Sequence, residues 1–534
     1  MNEIDSACRE LVEGLLRKEI TNEQELNAAK KEVSKRYKLS SLLSNSRILA
    51  AAKDNEKKYV LDLLLLKPVR TISGVAVIAA MTSPAPCPHG LCIPCPGGPS
   101  SKFNSPQSYM GAEPAARRAF ENGFDPYSQV SSRIKQLSQI GHHVEKAELI
   151  VMGGTFTSRT LCYQEWFVKR ALEAMNDFYE TEWRREKRYV TIEEVQSANE
   201  SSSIRNVGIT IETRPDWTEK EHIDSILGLG ATKVEIGVQS TYDFILAGIQ
   251  RGHTVKESAD ANMRLRDSGL KVGFHMMPGL PGSTPESDLR IFRTLFEDER
   301  FKPDYLKIYP TLVTEGTRLH GMWELGNYAP LEVEEAVELL AKVKAILPKW
   351  VRLQRIQRDI PAYQVLAGIK KSNIRQLAEE RLFEIGGRYR CIRCREVGHK
   401  MLAGILPGNI ELAVEKYEAC GGKEYFISFE DTEKDILIGF TRLRFPCSPH
   451  RPELDGAAVV RELHVYGEMV PVGTSAGDAQ WQHRGYGEEL LAQAEETARS
   501  GGYEKIAVTS GIGVRDYYRK FGYEREGPYM MKKL

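Results

Sequence analysis

Short β-branched runs alternating with helical stretches predict an α/β protein: a partial (β/α)6 barrel followed by a second, smaller α/β unit. Three observations carry that prediction. Six strand-like runs lie between residues 73 and 310 with helical stretches between them, the order of a parallel sheet covered by helices. Residues 425–534 repeat the alternation on a shorter scale. Residues 1–66 instead place apolar side chains such as Leu11, Leu15 and Leu16 at helical spacing, so the chain begins with an α-helical region. The expected organisation is a helical region at 1–70, the barrel at 71–350, a linker at 351–422 and the terminal domain at 423–534. At 534 residues the chain is long enough for each of these to have a core.

Composition narrows the functions. Lys plus Arg and Asp plus Glu both number 73, so any attraction to nucleic acid or membrane must come from local patches. Nine cysteines are too few for a disulfide scaffold, and an odd number leaves one unpaired. The opening "MNEIDSACRE" lacks the basic start and apolar run of a signal peptide, and "LDLLLL" at 61–66 is too short to span a bilayer. A cytoplasmic protein with no membrane partner is expected, in which clustered cysteines mean metal or catalysis.

Within the helical region, residues 28–47 hold six basic residues against one acid, Glu32. Lys30, Lys31, Lys35 and Arg36 read either as a solvated helix face or as a phosphate-contacting arm. The barrel strands are expected at 73–80, 147–154, 206–213, 233–240, 271–279 and 305–310. In such a barrel, chemistry sits on the loops after the strands' C-terminal ends. "CPHGLCIPCPGG" (87–98) follows the first strand, "GGTF" (153–156) the second, "ETRPD" (212–216) the third, "GVQS" (237–240) the fourth and "MPGLPG" (277–282) the fifth.

Cys87, Cys92 and Cys95 are separated by four and two residues, so their sulfurs can converge on one metal centre. Structural zinc takes four protein ligands, and His89 is the sole nearby fourth candidate. Three thiolates suit an iron–sulfur cluster that keeps one iron open, and the prolines and glycines around them shape backbone about a bulky inorganic core.

In the terminal domain the strands are expected at "YFISFE", "ILIGFTRLRF", "AAVVRELHVYG", "KIAVTSG" and "YMMKK". Gln482, Gly485 and Gly487, around Tyr486, form a Q-x-x-G-x-G turn that opens an amphipathic helix. Bare backbone N–H groups at such a helix start make a pyrophosphate site. Between the domains, Cys391 and Cys394 have the C-x-x-C spacing of a zinc knuckle, with His399 and Cys420 as completing ligands; the other reading is a pair of free thiols. Arg355, Arg358, Lys370 and Lys371 lie in two basic stretches that suit phosphate contact, or simply solvent.

These stretches together resemble the radical S-adenosylmethionine enzymes, and within them the Elongator catalytic-subunit family. The matching segments are "CPHGLCIPCPGG", "PQSYMGAEPAARRA", "VMGGTF", "ITIETRPD", "VEIGVQS" and "MPGLPGS". The usual motif has three residues between its first two cysteines; four stand here, a variant spacing found in the Elongator group. The terminal domain resembles the Gcn5-related N-acetyltransferases through "RELHVYG", the glycine turn and "GVRDYYRKFGY".

The resemblance implies a radical S-adenosylmethionine barrel with a 4Fe-4S cluster on Cys87, Cys92 and Cys95. Gly153, Gly154, Thr155, Glu212 and Gln239 would contact S-adenosylmethionine. Acetyl-CoA would meet Lys146, Glu462, Leu463, His464, Val465, Gln482, Gly485, Tyr486 and Gly487, with Tyr517 as the catalytic phenol near the thioester. A 5′-deoxyadenosyl radical would take hydrogen from the acetyl methyl group, and the carbon radical would add to C5 of the wobble uridine of tRNA. Thioester hydrolysis would leave a carboxymethyl group. The implied partners are tRNA and an electron donor, with further subunits left open. The rival readings are a lysine acetyltransferase with a structural barrel, and a tRNA-binding scaffold without turnover.

Overall fold

Helices α1 (Glu3–Leu16), α2 (Glu23–Arg36), α3 (Asn45–Ala50) and α4 (Asp54–Leu64) open the chain. Their apolar faces close a separate core of Ala7, Leu11, Leu26, Val33, Ile48 and Leu64. The computed structural model describes residues 3–39, 41–65, 73–142, 144–179, 189–467 and 485–534.

The barrel strands are β1 (Ala76–Met81), β2 (Lys146–Met152), β3 (Arg205–Thr213), β4 (Lys233–Gln239), β5 (Lys271–Met276) and β6 (Tyr305–Ile308). A short β7 (Val313–Thr314) follows, then β8 (Arg352–Ile356) and β9 (Val365–Ala367). Strands β1 to β6 and β8 pair in that order, all parallel, into one curled sheet, while β7 and β9 form a separate antiparallel pair. All six expected strands are present, and β8 adds a seventh within the stretch expected to begin a basic linker.

Alternation along each strand sets two different faces. In β4, Val234, Ile236 and Val238 turn outward into the core, whereas Lys233, Glu235, Gly237 and Gln239 line an internal cavity of about 800 Å³. Branched aliphatic side chains ordinarily fill the inside of a parallel barrel. Here Glu148, Glu212, Glu235, Lys233, Lys307 and His275 face the void.

The second sheet has strands β10 (Glu411–Ala419), β11 (Gly422–Asp431), β12 (Ile436–Phe445), β13 (Ala457–Val465), β14 (Lys505–Val508), β15 (Glu524–Glu526) and β16 (Tyr529–Lys533). Its order is β10-β11-β12-β13-β14-β16-β15, with β13 and β14 parallel. Their pairing ends at Val460 and Val508, and β12 and β13 slip register beside Arg461. This bulge turns both Arg461 and Glu462 toward the barrel.

One apolar core runs through both sheets. At the junction, Arg461 reaches Asp304 at 2.6 Å and Glu424 at 2.8 Å; Arg266 and Arg444 also reach Glu424, at 2.8 and 2.9 Å. Arg444 joins Asp267 at 2.6 Å, and all these side chains are buried. Burial would raise the Asp304 carboxyl, but Arg266, Arg461 and Arg442 hold it far below the usual carboxylate range. This charge lattice, reaching from Arg266, Asp267 and Asp304 in the barrel to β11, β12 and β13, fixes the two domains against each other.

Candidate active site

The cysteine loop follows β1 and is folded by close backbone approach. A Cβ on Gly97 would stand 2.2 Å from the Tyr109 carbonyl oxygen, so only glycine fits there. Cys87 Sγ lies 3.0 Å from His89 Nδ1, and His89 Nε2 lies 2.9 Å from Cys92 Sγ. Gln107 Nε2 donates to Cys95 Sγ at 2.9 Å, and Thr155 Oγ1 lies 3.4 Å from Cys87 Sγ. Burial, then Arg214 and Arg251, push the His89 imidazole down to about 4, so it is neutral at working pH. All three thiols are free and line the same end of the cavity.

The glycine loop after β2 closes against them. Gly153 and Gly154 have φ of 127° and 98°, and a Cβ on Gly153 would meet Thr82 Oγ1 at 2.1 Å. Nearby, Gln239 Oε1 and Thr241 Oγ1 are buried without hydrogen-bond partners. Three converging thiols, a side-chain-free cradle and orphaned polar atoms fit an inorganic cluster together with a polar small molecule.

Deeper in the barrel, Glu212, Glu235 and His275 bring their ligand atoms within 4.8 Å of one another. Lys307 stands among them, 3.3 Å from Glu212 Oε1 and bonded to Glu235; His275 Nε2 is 3.0 Å from Glu235 Oε2. Burial alone would lower the Lys307 ammonium, but Glu235, Tyr309 and Glu212 outweigh it and hold it charged. The ammonium therefore fills the place a metal ion would take. Tyr109 donates to Glu212 at 3.0 Å, and burial, then Glu212, keep its phenol neutral.

At the far end the same cavity reaches Glu462 and His464 on β13. Glu462 accepts from Tyr305 and, at 2.8 Å, from Arg442 Nε. Leu463 points the other way: a Cβ on Gly487 would lie 3.7 Å from Leu463 Cδ2 and 2.7 Å from Tyr517 Oη. Glu462 and His464 thus face the barrel cavity, while Leu463 faces the Gly487 turn. Gly485, at φ 89°, caps the helix Tyr486–Ser500. Burial, then Glu488, push the Tyr517 phenol up to about 12.

The sequence matches the ELP3 N-terminal domain over residues 4–72, the Radical SAM superfamily over 87–295, the Radical_SAM C-terminal domain over 303–384 and the acetyltransferase (GNAT) family over 407–523. The tRNA uridine(34) acetyltransferase of Methanocaldococcus jannaschii is 52% identical over 497 residues, covering 92% of this chain and 90% of that protein. The chain belongs to the Elp3 family. Elongator complex protein 3 of Danio rerio, another Elp3 protein, is 44% identical over 520 residues, covering 95% of this chain and 93% of its own. The structure of Methanocaldococcus infernus Elp3 lacking its N-terminus superposes with a TM-score of 0.76 at 47% identity, covering 87% of this chain and 100% of that one. Membership makes the chain an enzyme with radical SAM and acetyltransferase domains, and no described helix is long and apolar enough to cross a membrane.

Of the expected zinc ligands, the structure brings together only part. Cys391 and Cys394 stand 3.3 Å apart, but Cys420 accepts from Asn262 Nδ2 at 3.1 Å and faces the Arg300 carbonyl at 3.2 Å. Among the described residues the set Cys391, Cys394, His399 and Cys420 does not assemble; Glu212, Glu235 and His275 form the one such group. A buried charge lattice spans the domain junction. Lys146 begins β2, two residues before Glu148 on the same face. Gln482 lies outside the described residues.

Of the expected tRNA residues, Lys31, Lys35, Lys370 and Lys371 are exposed. Lys30 bonds Asn45, and Arg36 pairs with Glu10 at 2.5 Å and Glu32 at 2.7 Å. Arg355 pairs with Asp359 at 2.5 Å, and Arg358 lies 5.3 Å from the Tyr109 ring centroid and lines the cavity. A neighbouring cavity of about 430 Å³ is lined by Arg117, Arg118 and Arg133. Sequence reasoning misses these arginines, although Arg117 and Arg118 stand in "PAARRA". It also misses Lys307 and Glu235, whose signal is a charge at alternate positions of an apolar strand.

Proposed function

We propose that this chain carboxymethylates C5 of the wobble uridine of tRNA, using acetyl-CoA and S-adenosylmethionine. One observation carries the reading: a single cavity runs from Cys87, Cys92 and Cys95 at one end of the barrel to Glu462 and His464 on the acetyltransferase strand. A barrel kept only as scaffold has no reason to hold charged side chains around an open core. The tRNA substrate comes from the relative named tRNA uridine(34) acetyltransferase.

In this reading Cys87, Cys92 and Cys95 would hold a 4Fe-4S cluster, which when bound would supply the one-electron chemistry that cleaves S-adenosylmethionine. The backbone of Gly153, Gly154 and Thr155 receives the methionine amino group, while Glu212 and Gln239 meet the nucleoside. The turn at Gly485, Tyr486 and Gly487, with Gln482, takes the coenzyme A pyrophosphate. Lys146, Leu463 and Val465 flank the acyl carrier. Tyr517, neutral well above working pH, donates its proton to the departing thiolate. Glu462 and His464 meet the acetyl group from the barrel side. Lys30, Lys31, Lys35, Arg355, Arg358, Lys370 and Lys371 contact tRNA phosphates.

Mass spectrometry of tRNA incubated with anaerobically purified protein, S-adenosylmethionine, reductant and acetyl-CoA tests this. Carboxymethylated uridine 34 that disappears when any one component is withheld is the expected result. An iron-loaded protein that consumes acetyl-CoA but leaves uridine unmodified would sink the reading.

A further inference from the structure

Arg251 is an isolated cation beside the cysteine loop. Its Nη1 lies 3.5 Å from Cys92 Sγ, its Nη2 donates to the Gly237 carbonyl at 2.9 Å, and its Nε is buried without a partner. Among the described residues no carboxylate forms an ion pair with it. The nearby acid, Asp216, is taken by Arg214 through two contacts of 2.9 Å, and Arg214 in turn holds the Arg251 carbonyl at 2.8 Å. Burial, then Arg251 and Arg214, push the nearby His253 imidazole down to about 2.

Arg251 is half-buried with its Nε enclosed, so its charge gains from an anion placed against it. Among the described residues no carboxylate takes that place, and Nη1 faces the Cys92 sulfur, so the anion it would meet is whatever Cys87, Cys92 and Cys95 bind. Three thiolates outweigh the charge of an oxidised 4Fe-4S core, and one further electron makes the centre more negative still. Potentials of such clusters follow net charge and hydrogen bonds to the cysteine sulfurs.

We infer that Arg251, held in place by the Arg214–Asp216 pair, is a positioning residue that raises the cluster's reduction potential by donating to the Cys92 sulfur. The step is a one-electron reduction of the cluster by a low-potential donor, dithionite in the test, with no bond made or broken. The inference rests on the three cysteines holding the cluster. Iron-free wild-type protein after anaerobic reconstitution would remove that reading, and this one with it.

The experiment is an electron-paramagnetic-resonance redox titration of the reconstituted full chain without S-adenosylmethionine. Wild type, Arg251→Gln and Arg251→Lys are compared, with iron measured in each. The midpoint of Arg251→Gln should shift to lower potential, and Arg251→Lys should stay near wild type because it keeps the charge. Equal midpoints in iron-loaded wild type and Arg251→Gln would overturn the inference while leaving the cluster reading intact. Equal midpoints overturn it even if S-adenosylmethionine affinity falls, since Arg251 would then serve the methionine carboxylate. Should Arg251→Gln fail to hold iron, Arg251→Lys decides: iron and midpoint at wild-type levels support a charge effect, and equal loss of iron overturns it.

Discussion

Tyr517 joins packing to chemistry through one oxygen. Its ring packs edge-on against Phe521 with centroids 5.0 Å apart, while its hydroxyl faces the Gly487 turn. Tyr517→Phe keeps the ring and removes the donor, so the fold and any cluster should survive. Acetyl-CoA hydrolysis with tRNA present should fall about tenfold or more, the scale of losing an acid–base group. With its phenol raised to about 12, wild type should show no loss of activity assignable to Tyr517 below about pH 10. A Tyr517→Phe enzyme running at the wild-type rate would make the residue packing alone.

Loops and strands carry the next scale. Asp288 organises the "MPGLPG" loop, accepting from the Gly279 N–H at 2.7 Å and from Ser283 Oγ at 3.3 Å. Burial raises its carboxyl from 3.8 to about 7, so the folded state keeps a proton that the unfolded chain has already lost. Its contribution to stability is therefore full below the unfolded value and lost as pH rises through about 7. Between about pH 5 and 8, the melting temperature of wild type should drop relative to Asp288→Asn. A constant difference between the two would contradict the assignment. On the surface, exposed Lys371 predicts a charge effect without a fold effect. Lys371→Glu should weaken tRNA binding and reduce its salt slope by about one contact. Unchanged filter binding across a salt series would retire that contact.

These elements also show what the sequence makes legible. Barrel strands such as "KVEIGVQ" declare themselves by period two, because one face must meet helices. Strand β8, "RLQRI", reads from sequence as a phosphate-binding segment because it carries two arginines and lacks a period-two pattern: a register slip against β6 leaves its buried Leu353 and Ile356 three residues apart. The cysteine loop is readable because its ligands are local. Cys420 is not: sequence order gives no distance to Cys391, and its sulfur is spent on Asn262.

Across the whole molecule, two domains act as one body because charges that are expensive to bury are matched in place. Asp304 meets Arg461 at 2.6 Å, Arg266 at 3.4 Å and Arg442 at 3.5 Å. Asp304→Asn leaves three guanidinium groups short of an anion and should destabilise the protein by about 3–5 kcal/mol. Denaturant unfolding checks it, and an unchanged midpoint would mean the junction is held by apolar packing alone. The central claim at this scale is that the barrel and the acetyltransferase work through one cavity on one acetyl group. Acetyl-CoA deuterated in its methyl group tests it most directly, with mass spectrometry of the 5′-deoxyadenosine formed during tRNA modification. The account predicts deuterium in 5′-deoxyadenosine, present only when acetyl-CoA carries the label. Carboxymethylated uridine formed alongside unlabelled 5′-deoxyadenosine would contradict it.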